Sequence, residues 1–124
     1  DISALVRSME LCGDDMHFYS GNDDQIVPFL SMGGKGVISV ASNILPTEIS
    51  NLCDSCFAGD YQTAAMLQKK YIRLIDALFC DVNPMPIKEA MNFLGFGAGP
   101  ARLPLCGMCD NLKGKLLLEL KRVF

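Results

Sequence analysis

The stretch GVISVAS, residues 36–42, decides the fold class of this chain. It is a continuous apolar run that is rich in β-branched side chains, with glycines before it and polar residues after it. Such a run is typical of a strand buried on both faces, as in parallel sheets that are covered by helices. We therefore expect an α/β fold in which residues 36–42 form an interior strand.

The residues before this strand predict the same alternation of helix and strand. Residues 2–12 carry apolar side chains near helical spacing, and residues 16–20 are a short β-prone run. A second helix is expected next, with Asn22 or Asp23 as its N-cap and Gly33 near its end. The order helix, strand, helix, strand with short connections predicts parallel βα units.

The rest of the chain predicts helices only. They are expected over residues 46–57, 61–79, 87–94 and 110–124. Gly59 should end the first of them, and Asp60 should cap the second. Two prolines within residues 83–86 predict an extended segment there. Residues 95–104, with three glycines and two prolines, are expected to be a loop.

Two strands are too few for an independent parallel sheet, because their apolar faces would need neighbours that this chain does not contain. We therefore expect residues 1–45 to be the last βα units of a larger α/β fold. Residues 46–124 are expected to be the last helix of that fold and a helical appendage.

Composition and charge exclude several classes of partner. The chain has 124 residues and a formal net charge of −3, and its basic residues form no stripe. This argues against nucleic acid or an acidic membrane surface as a partner. The chain contains no run of about eighteen apolar residues, which is the length needed to span a bilayer. The chain opens on Asp1 without a recognisable secretory signal, so we expect a cytoplasmic protein without membrane or nucleic-acid partners.

The chain has six cysteines, which in a short secreted protein would suggest disulfides. Here Cys12, Cys53 and Cys80 fall in apolar-patterned helical segments, and no secretory signal is seen. We therefore expect reduced thiols that pack as small hydrophobic side chains.

Two Cys-x-x-Cys pairs raise the alternative of a structural zinc site. Cys53 with Cys56 and Cys106 with Cys109 have the form of two half-sites. However, the pairs are about fifty residues apart instead of the usual 15–20. A non-catalytic, cysteine-rich zinc-binding or interaction module is the alternative that the residues leave open.

Two other candidates for chemistry have simpler explanations. Residues 33–37, GGKGV, lack the Ser or Thr of a Walker phosphate loop and precede a strand rather than a helix. Glycines that end a helix are the favoured interpretation. His17, the only histidine, falls in a β-prone run, where we expect a packed or half-exposed side chain.

Residues 19–24, YSGNDD, lie where a strand end is expected to turn into a helix. Ligands bind at this rim in parallel α/β folds, and Gly21 would let the backbone approach a ligand closely. The alternative is an ordinary βα turn, in which Asp23 and Asp24 serve as helix cap and helix-dipole partner. The residues alone leave both interpretations open.

Five segments together resemble the dihydrodipicolinate synthase family of the N-acetylneuraminate lyase superfamily. They are YSGNDD (19–24), MGGKGVISV (32–40), NILP (43–46), NPMPIK (83–88) and RLPL (102–105). The likeness runs from Asp1 to Phe124 and covers less than half of a family member. The related sialic-acid lyases share the fold but differ in the GVISV segment.

The resemblance implies the last βα units of a (β/α)8 TIM barrel for residues 1–45, followed by the last barrel helix and a C-terminal helical domain for residues 46–124. It also implies a homotetrameric, cytosolic lyase of lysine and diaminopimelate biosynthesis. Such a lyase condenses pyruvate with L-aspartate 4-semialdehyde through a lysine Schiff base and needs no cofactor or metal. The family's catalytic lysine lies upstream of the position matching Asp1. The chain would then be inactive alone and would need the N-terminal half of the barrel.

The part of the family's active site that the resemblance assigns to this chain is one wall of the substrate pocket. The resemblance implies that Gly21 lines the substrate pocket with its backbone and that Ile38 contacts bound pyruvate. Asn22 replaces the Asp common after that glycine, so a charge-dependent role there is not expected, although Asn22 stays a substrate-binding candidate. Asn83 is a further candidate. No catalytic residue is assigned, because neither lysine of the matching segments, at 35 and 88, has the Schiff-base position.

Overall fold

The computed structural model describes residues 1–124, and it contains six α-helices and two short strands. In chain order they are α1 (Ile2–Cys12), β1 (Tyr19–Ser20), α2 (Ile26–Ser31), β2 (Gly36–Val37), α3 (Pro46–Phe57), α4 (Tyr61–Leu78), α5 (Met85–Phe93) and α6 (Asp110–Val123). Short 3-10 turns lie at Gly13–Asp15, Asp23–Gln25 and Ala41–Asn43. The predicted order helix, strand, helix, strand followed by helices alone is confirmed.

The two strands form a parallel pair, as the sequence predicts. Tyr19 lies opposite Gly36 in the register. The pairing continues past β2, where the Ile38 N–H donates to the Ser20 carbonyl at 2.7 Å. Because the strands are parallel, the residues that follow them lie at the same edge of the sheet.

The predicted interior strand over residues 36–42 is wrong in its extent and its burial. β2 ends at Val37, the Ile38 side chain is 71% exposed, and Ala41 already belongs to a 3-10 turn. Within the chain β2 has a single neighbouring strand, β1, and its Val37 is only partly buried against the core. The apolar run therefore predicts more burial than this chain gives to residues 36–42.

The predicted N-cap of α2 is also wrong. The helix starts at Ile26 with Gln25 as the capping residue, and neither Gln25 nor Asn22 makes a side-chain cap. A 3-10 turn, Asp23–Gln25, enters the helix instead. The carboxyl group of Asp23 bonds to backbone amides near the end of β2, and this use competes with capping.

The helices α3 and α4 follow their sequence patterns closely. Their observed bounds, Pro46–Phe57 and Tyr61–Leu78, match the predicted ones to within one residue. Gly59 separates them with a positive φ of 78°. The Asp60 side chain caps α4 by accepting the Thr63 N–H at 3.0 Å. No helix of the chain combines the length and the apolar character needed to cross a membrane.

The predicted extended segment over residues 83–86 is wrong at its end. α5 already starts at Met85, with Pro84 before it and Pro86 in its first turn. Proline is tolerated in the first turn because its missing N–H would have no partner inside the helix. The turn is closed by the Met85 N–H, which donates to the Val82 carbonyl at 2.9 Å.

The core lies mainly among α3, α4 and α6. One cluster of 19 buried hydrophobic residues fills it, and five of the most completely buried are Leu52, Leu74, Leu78, Leu116 and Leu120. Leu112 and Leu117, which the α6 pattern predicts to face inward, are only partly buried against this cluster. The same cluster includes Ile26 and Leu30 of α2, so it crosses the boundary predicted between residues 45 and 46. That boundary coincides with the start of α3 and stays a prediction.

α1 takes no part in this core. None of its residues is buried, and Leu11 at its end is 82% exposed. Cys12, predicted to pack as a buried thiol, is exposed as well. The apolar pattern of α1 is correct, but the chain covers its apolar face only in part, since Ile2, Leu5 and Met9 are half-buried.

Candidate functional site

The carboxyl ends of β1 and β2 bring two predicted site residues to one edge of the sheet. Gly21 directly follows β1, and Ile38 directly follows β2. In parallel α/β folds the connections after the strands carry the ligand-binding groups. The strand pairing therefore creates a two-sided wall from residues that are 17 positions apart in the sequence.

A cavity of about 670 Å³ opens at this edge. Besides Gly21 and Ile38, it is lined by Asn83, the third predicted residue. Asn83 lies in the turn that enters α5, so the helical part of the chain supplies the opposite wall. The other lining residues are Ser39, Val40, Asn43, Phe79, Pro84, Ile87, Lys88, Met91 and Ala98. The cavity has a size that suits a small organic molecule.

Lys88 is the only charged residue that lines this cavity. The two ion pairs of the chain join Lys113 to Glu89 and Arg122 to Glu119, so Lys88 has no carboxylate partner. Lys88 is half-buried and lies in the first half of α5, where the positive end of the helix dipole adds to its charge. Lys88 therefore contributes a positive charge to the cavity wall, which favours an anion such as a carboxylate.

The polar side chains of the β2–α3 connection mainly hold the backbone of the cavity wall. The Ser39 hydroxyl accepts the Ser42 N–H at 2.8 Å. The Asn43 side chain donates to the Val40 carbonyl at 2.9 Å. These bonds fix the path of the chain after Ile38 and keep the Ile38 side chain at the surface of the cavity.

Asn22, the fourth predicted residue, does not line this cavity. It lies in an adjacent depression of about 220 Å³ together with Asp24 and Asp76. Phe79 lines both spaces, and Asn22 follows Gly21 directly in the chain. A contact of Asn22 with a ligand stays a prediction.

Asp23 is the residue that the sequence interpretation missed. Its side chain is completely buried, and its Oδ2 accepts the N–H groups of Val40 and Ala41 at 2.9 and 3.0 Å. Its Oδ1 is buried without a hydrogen-bond partner, an arrangement that costs about 1–3 kcal/mol. The expected role of Asp23 as a helix cap is therefore wrong, and its carboxyl group connects the two strand ends instead.

A buried glutamine of α4 completes this polar connection. The Gln68 side chain is 8% exposed, and its Nε2 donates to the Asp23 carbonyl at 2.8 Å. Its Oε1 accepts the Val27 N–H at 3.4 Å, in the first turn of α2. The β1–α2 turn is thus attached at two points. The Asp23 carboxyl group binds the backbone after β2, and Gln68 binds the turn from α4.

The cysteines are dispersed over the surface and the core. All six are free, and no three His, Cys, Asp or Glu side chains are grouped to hold a metal ion. Burial raises the pKa of Cys53 to about 11 and also raises that of Cys56, so both are protonated thiols at neutral pH. Cys106 and Cys109 are exposed in the segment before α6.

The only histidine and the lysine of the GGKGV segment lie elsewhere. His17 and Lys35 line a separate depression of about 470 Å³, together with Met9 of α1 and Met32. His17 is exposed, so the expected packed or half-exposed side chain is wrong. Neither residue reaches the cavity at the strand ends.

Comparisons with known proteins agree with the residue pattern. The sequence model of the dihydrodipicolinate synthetase family matches residues 1–122. The 4-hydroxy-tetrahydrodipicolinate synthase of Clostridium perfringens is 52% identical over 111 residues, which are 90% of this chain and 38% of that protein. Synthase 1 of Clostridium acetobutylicum is 49% identical over 121 residues, 98% of this chain and 41% of that protein. The chain thus spans about two fifths of the length of these relatives.

Solved structures show the same relationship in three dimensions. The dihydrodipicolinate synthase of Aquifex aeolicus superposes with a TM-score of 0.95 at 32% identity, over 99% of this chain and 42% of that one. The enzyme of Thermotoga maritima gives a TM-score of 0.92 at 35% identity, over 98% and 42%. These superpositions confirm the predicted fold class, the last βα units of a (β/α)8 barrel followed by a helical region. The chain belongs to the dihydrodipicolinate synthetase family.

Proposed function

We propose that this chain is the C-terminal part of a Schiff-base lyase that condenses pyruvate with L-aspartate 4-semialdehyde in lysine and diaminopimelate biosynthesis. The observation that supports it most is the cavity at the strand ends, which brings Gly21, Ile38 and Asn83 together. The names of the relatives point to the same reaction.

The chain contributes the wall that binds substrate. Gly21 has no side chain, so its backbone can approach the ligand closely, and no atom lies within 4 Å of the position that a Cβ would take. Ile38 offers an exposed apolar side chain for the methyl end of pyruvate. Both substrates carry carboxylates, and the unpaired ammonium group of Lys88 favours their entry.

The reacting amine comes from outside this chain. A Schiff base needs a lysine whose ε-amine attacks the keto carbon of pyruvate and releases water. We place this lysine in the N-terminal half of the barrel. The residues of this chain then hold pyruvate and exclude water on one side of the imine, and none of them takes or gives the proton.

Two surfaces of the chain support completion by further barrel units. The β1–β2 pair is open along both edges, and α1 has no buried residue although its pattern is amphipathic. The remaining strands and helices of a (β/α)8 barrel would cover these surfaces. We further propose that the completed protein works in the cytoplasm as a homotetramer, without a cofactor or a metal ion.

A chimera with a known relative tests the proposal. This chain would replace the 111 residues that it matches in the Clostridium perfringens synthase. We expect condensation of pyruvate with aspartate semialdehyde by the chimera, and none by the chain alone. Borohydride treatment with pyruvate should reduce one imine, and peptide mapping should place the adduct in the Clostridium perfringens part.

The opposite results are equally clear. A folded chimera of native secondary structure that neither turns over nor forms the adduct would contradict the proposal. An adduct on Lys35 or Lys88 would show that the reacting amine lies in this chain. Stoichiometric zinc in the purified chain, with unfolding by a chelator, would support the cysteine-rich module instead.

A further inference from the structure

The turns after β1 and β2 are connected by a single side chain. The Asp23 Oδ2 accepts from Val40 at 2.9 Å and from Ala41 at 3.0 Å. Asp23 stands two residues after Gly21, and Val40 stands two residues after Ile38. The Ile38 N–H already pairs with the Ser20 carbonyl at 2.7 Å, so the carboxyl group is a second link between the two residues that form the predicted pyruvate wall.

The way Asp23 is buried suggests that this connection does more than stabilise the fold. Its side chain is completely buried, and its Oδ1 has no partner, so only half of the carboxyl group is satisfied. The neighbouring Asp24 is exposed and shows that this turn can direct a carboxyl group to solvent. If the turn only had to start a helix, an exposed carboxyl group could cap that helix without the free-energy cost of burying a charge.

Gln68 fixes the other side of the same residue. Its Nε2 donates to the Asp23 carbonyl at 2.8 Å and so holds the backbone of the turn on the side of α4. The carboxyl group holds the backbone after β2 to this restrained turn. Beyond the strand pairing, the path of the chain after Ile38 thus depends on the length and the acceptor geometry of residue 23.

We propose that Asp23 is a positioning residue for pyruvate, which holds Ile38 and Gly21 at the separation that the bound substrate needs. This inference rests on the proposed function. Asp23 does not touch the cavity, so it acts through the backbone after β2 rather than on the substrate.

Kinetics of the chimera test this role. In Asp23→Ala both amides lose their acceptor, and we expect KM for pyruvate to rise about tenfold while kcat falls less, because the binding wall is displaced. Asp23→Asn keeps one acceptor oxygen and should restore KM to within about twofold of the unsubstituted chimera. Asp24→Asn is the matched control, with KM unchanged.

A second control separates positioning from stability. Leu116→Ala opens a hole in the core between α4 and α6, away from the cavity, and should lower the melting temperature without changing KM. If Asp23→Ala does not fold, Asp23→Ser takes its place and should show a smaller rise in KM. The concentration of pyruvate that gives half-maximal borohydride trapping provides an independent measure of the same binding.

Each result decides the matter. An unchanged pyruvate KM in the folded Asp23→Ala or Asp23→Ser variant would overturn the positioning role. So would an equal rise in KM for Leu116→Ala at the same loss of melting temperature. A folded unsubstituted chimera that neither turns over nor forms the adduct would overturn the proposed function itself, and the role of Asp23 in pyruvate binding would be rejected with it.

Discussion

The βα segment (residues 1–45) and the helical segment (residues 46–124) use apolar side chains in different ways. None of the first 19 residues is buried, although α1 has an amphipathic pattern. In the helical segment, by contrast, α4 alone has seven buried residues. The helical segment contains the partners of its own apolar faces, and much of the βα segment does not.

This difference shows what a parallel sheet demands of its surroundings. A helix satisfies its backbone internally and needs one covered face, which α3, α4 and α6 provide for one another. A parallel strand needs neighbours on both edges and layers on both faces. The strand pattern therefore depends on residues far away in the sequence, and β2 spans only Gly36–Val37.

The largest difference between the two segments is expected when a leucine is replaced by alanine in each of them and the free energies of unfolding are compared. Leu78→Ala in α4 removes a completely buried side chain and should lower the free energy of unfolding by about 2–5 kcal/mol. Leu11→Ala in α1 removes a side chain that is 82% exposed and should change it by less than about 0.5 kcal/mol. Denaturant unfolding of the chain, followed by circular dichroism, measures both. A similar loss for Leu11→Ala would show that α1 is covered after all.

The same comparison explains how much of the fold the sequence predicts. α3 and α4 were predicted to within one residue, because their signals are local: a proline at the start, Gly59 between them and Asp60 as a cap. The strand over residues 36–42 was predicted too long, because its β-branched residues indicate burial by partners that no local signal can supply.

The candidate site divides in a similar way. The resemblance pointed to Gly21, Ile38, Asn83 and Asn22; the structure places the first three around one cavity and Asn22 in the adjacent depression. The roles of Asp23 and Lys88 could not be predicted, because they depend on contacts between distant parts of the chain. The amides bound by Asp23 are 17 and 18 residues away, so a carboxyl group at a helix start was interpreted as a cap.

Substitutions of two glycines in the helical segment should have smaller effects on stability, and these two effects should have opposite signs. Gly59 has a φ of +78°, a region that L side chains avoid, so Gly59→Ala should destabilise the chain by about 1–2 kcal/mol. Gly114 lies exposed inside α6 with no atom near its missing Cβ, so Gly114→Ala should stabilise it by about 0.5–1 kcal/mol. Denaturation midpoints of both variants test this. Changes of the same sign would contradict the local account of these helices.

The cap of α4 should give a pH-dependent effect that is smaller still. The backbone amide of Thr63 lowers the pKa of Asp60 by hydrogen bonding to its carboxylate. A lowered pKa means that the carboxylate stabilises the fold at neutral pH and that this contribution is lost as the pH falls through the folded-state pKa. We expect Asp60→Asn to lower the melting temperature slightly at pH 7, with the difference shrinking toward pH 3. A constant difference over this range would exclude ionisation of Asp60 as its cause.

The smallest perturbation is chemical labelling, which leaves the fold intact and compares the two segments directly. Cys12 at the end of α1 is exposed, whereas burial raises the pKa of Cys53 in α3 to about 11. At pH 8 the thiolate fraction of Cys53 is then on the order of one in a thousand, and only the thiolate is nucleophilic. Iodoacetamide should therefore modify Cys12 well before Cys53, as read from peptide masses over time.

Labelling in denaturant provides the control, because both thiols should then react at similar rates. A native rate for Cys53 as high as that for Cys12 would mean that α3 separates from the core during the labelling time. The two segments would then differ in the burial of their side chains but not in their resistance to local opening. A slow rate for Cys53 alone would show instead that the helical segment stays closed while α1 remains accessible, as the distribution of buried side chains predicts.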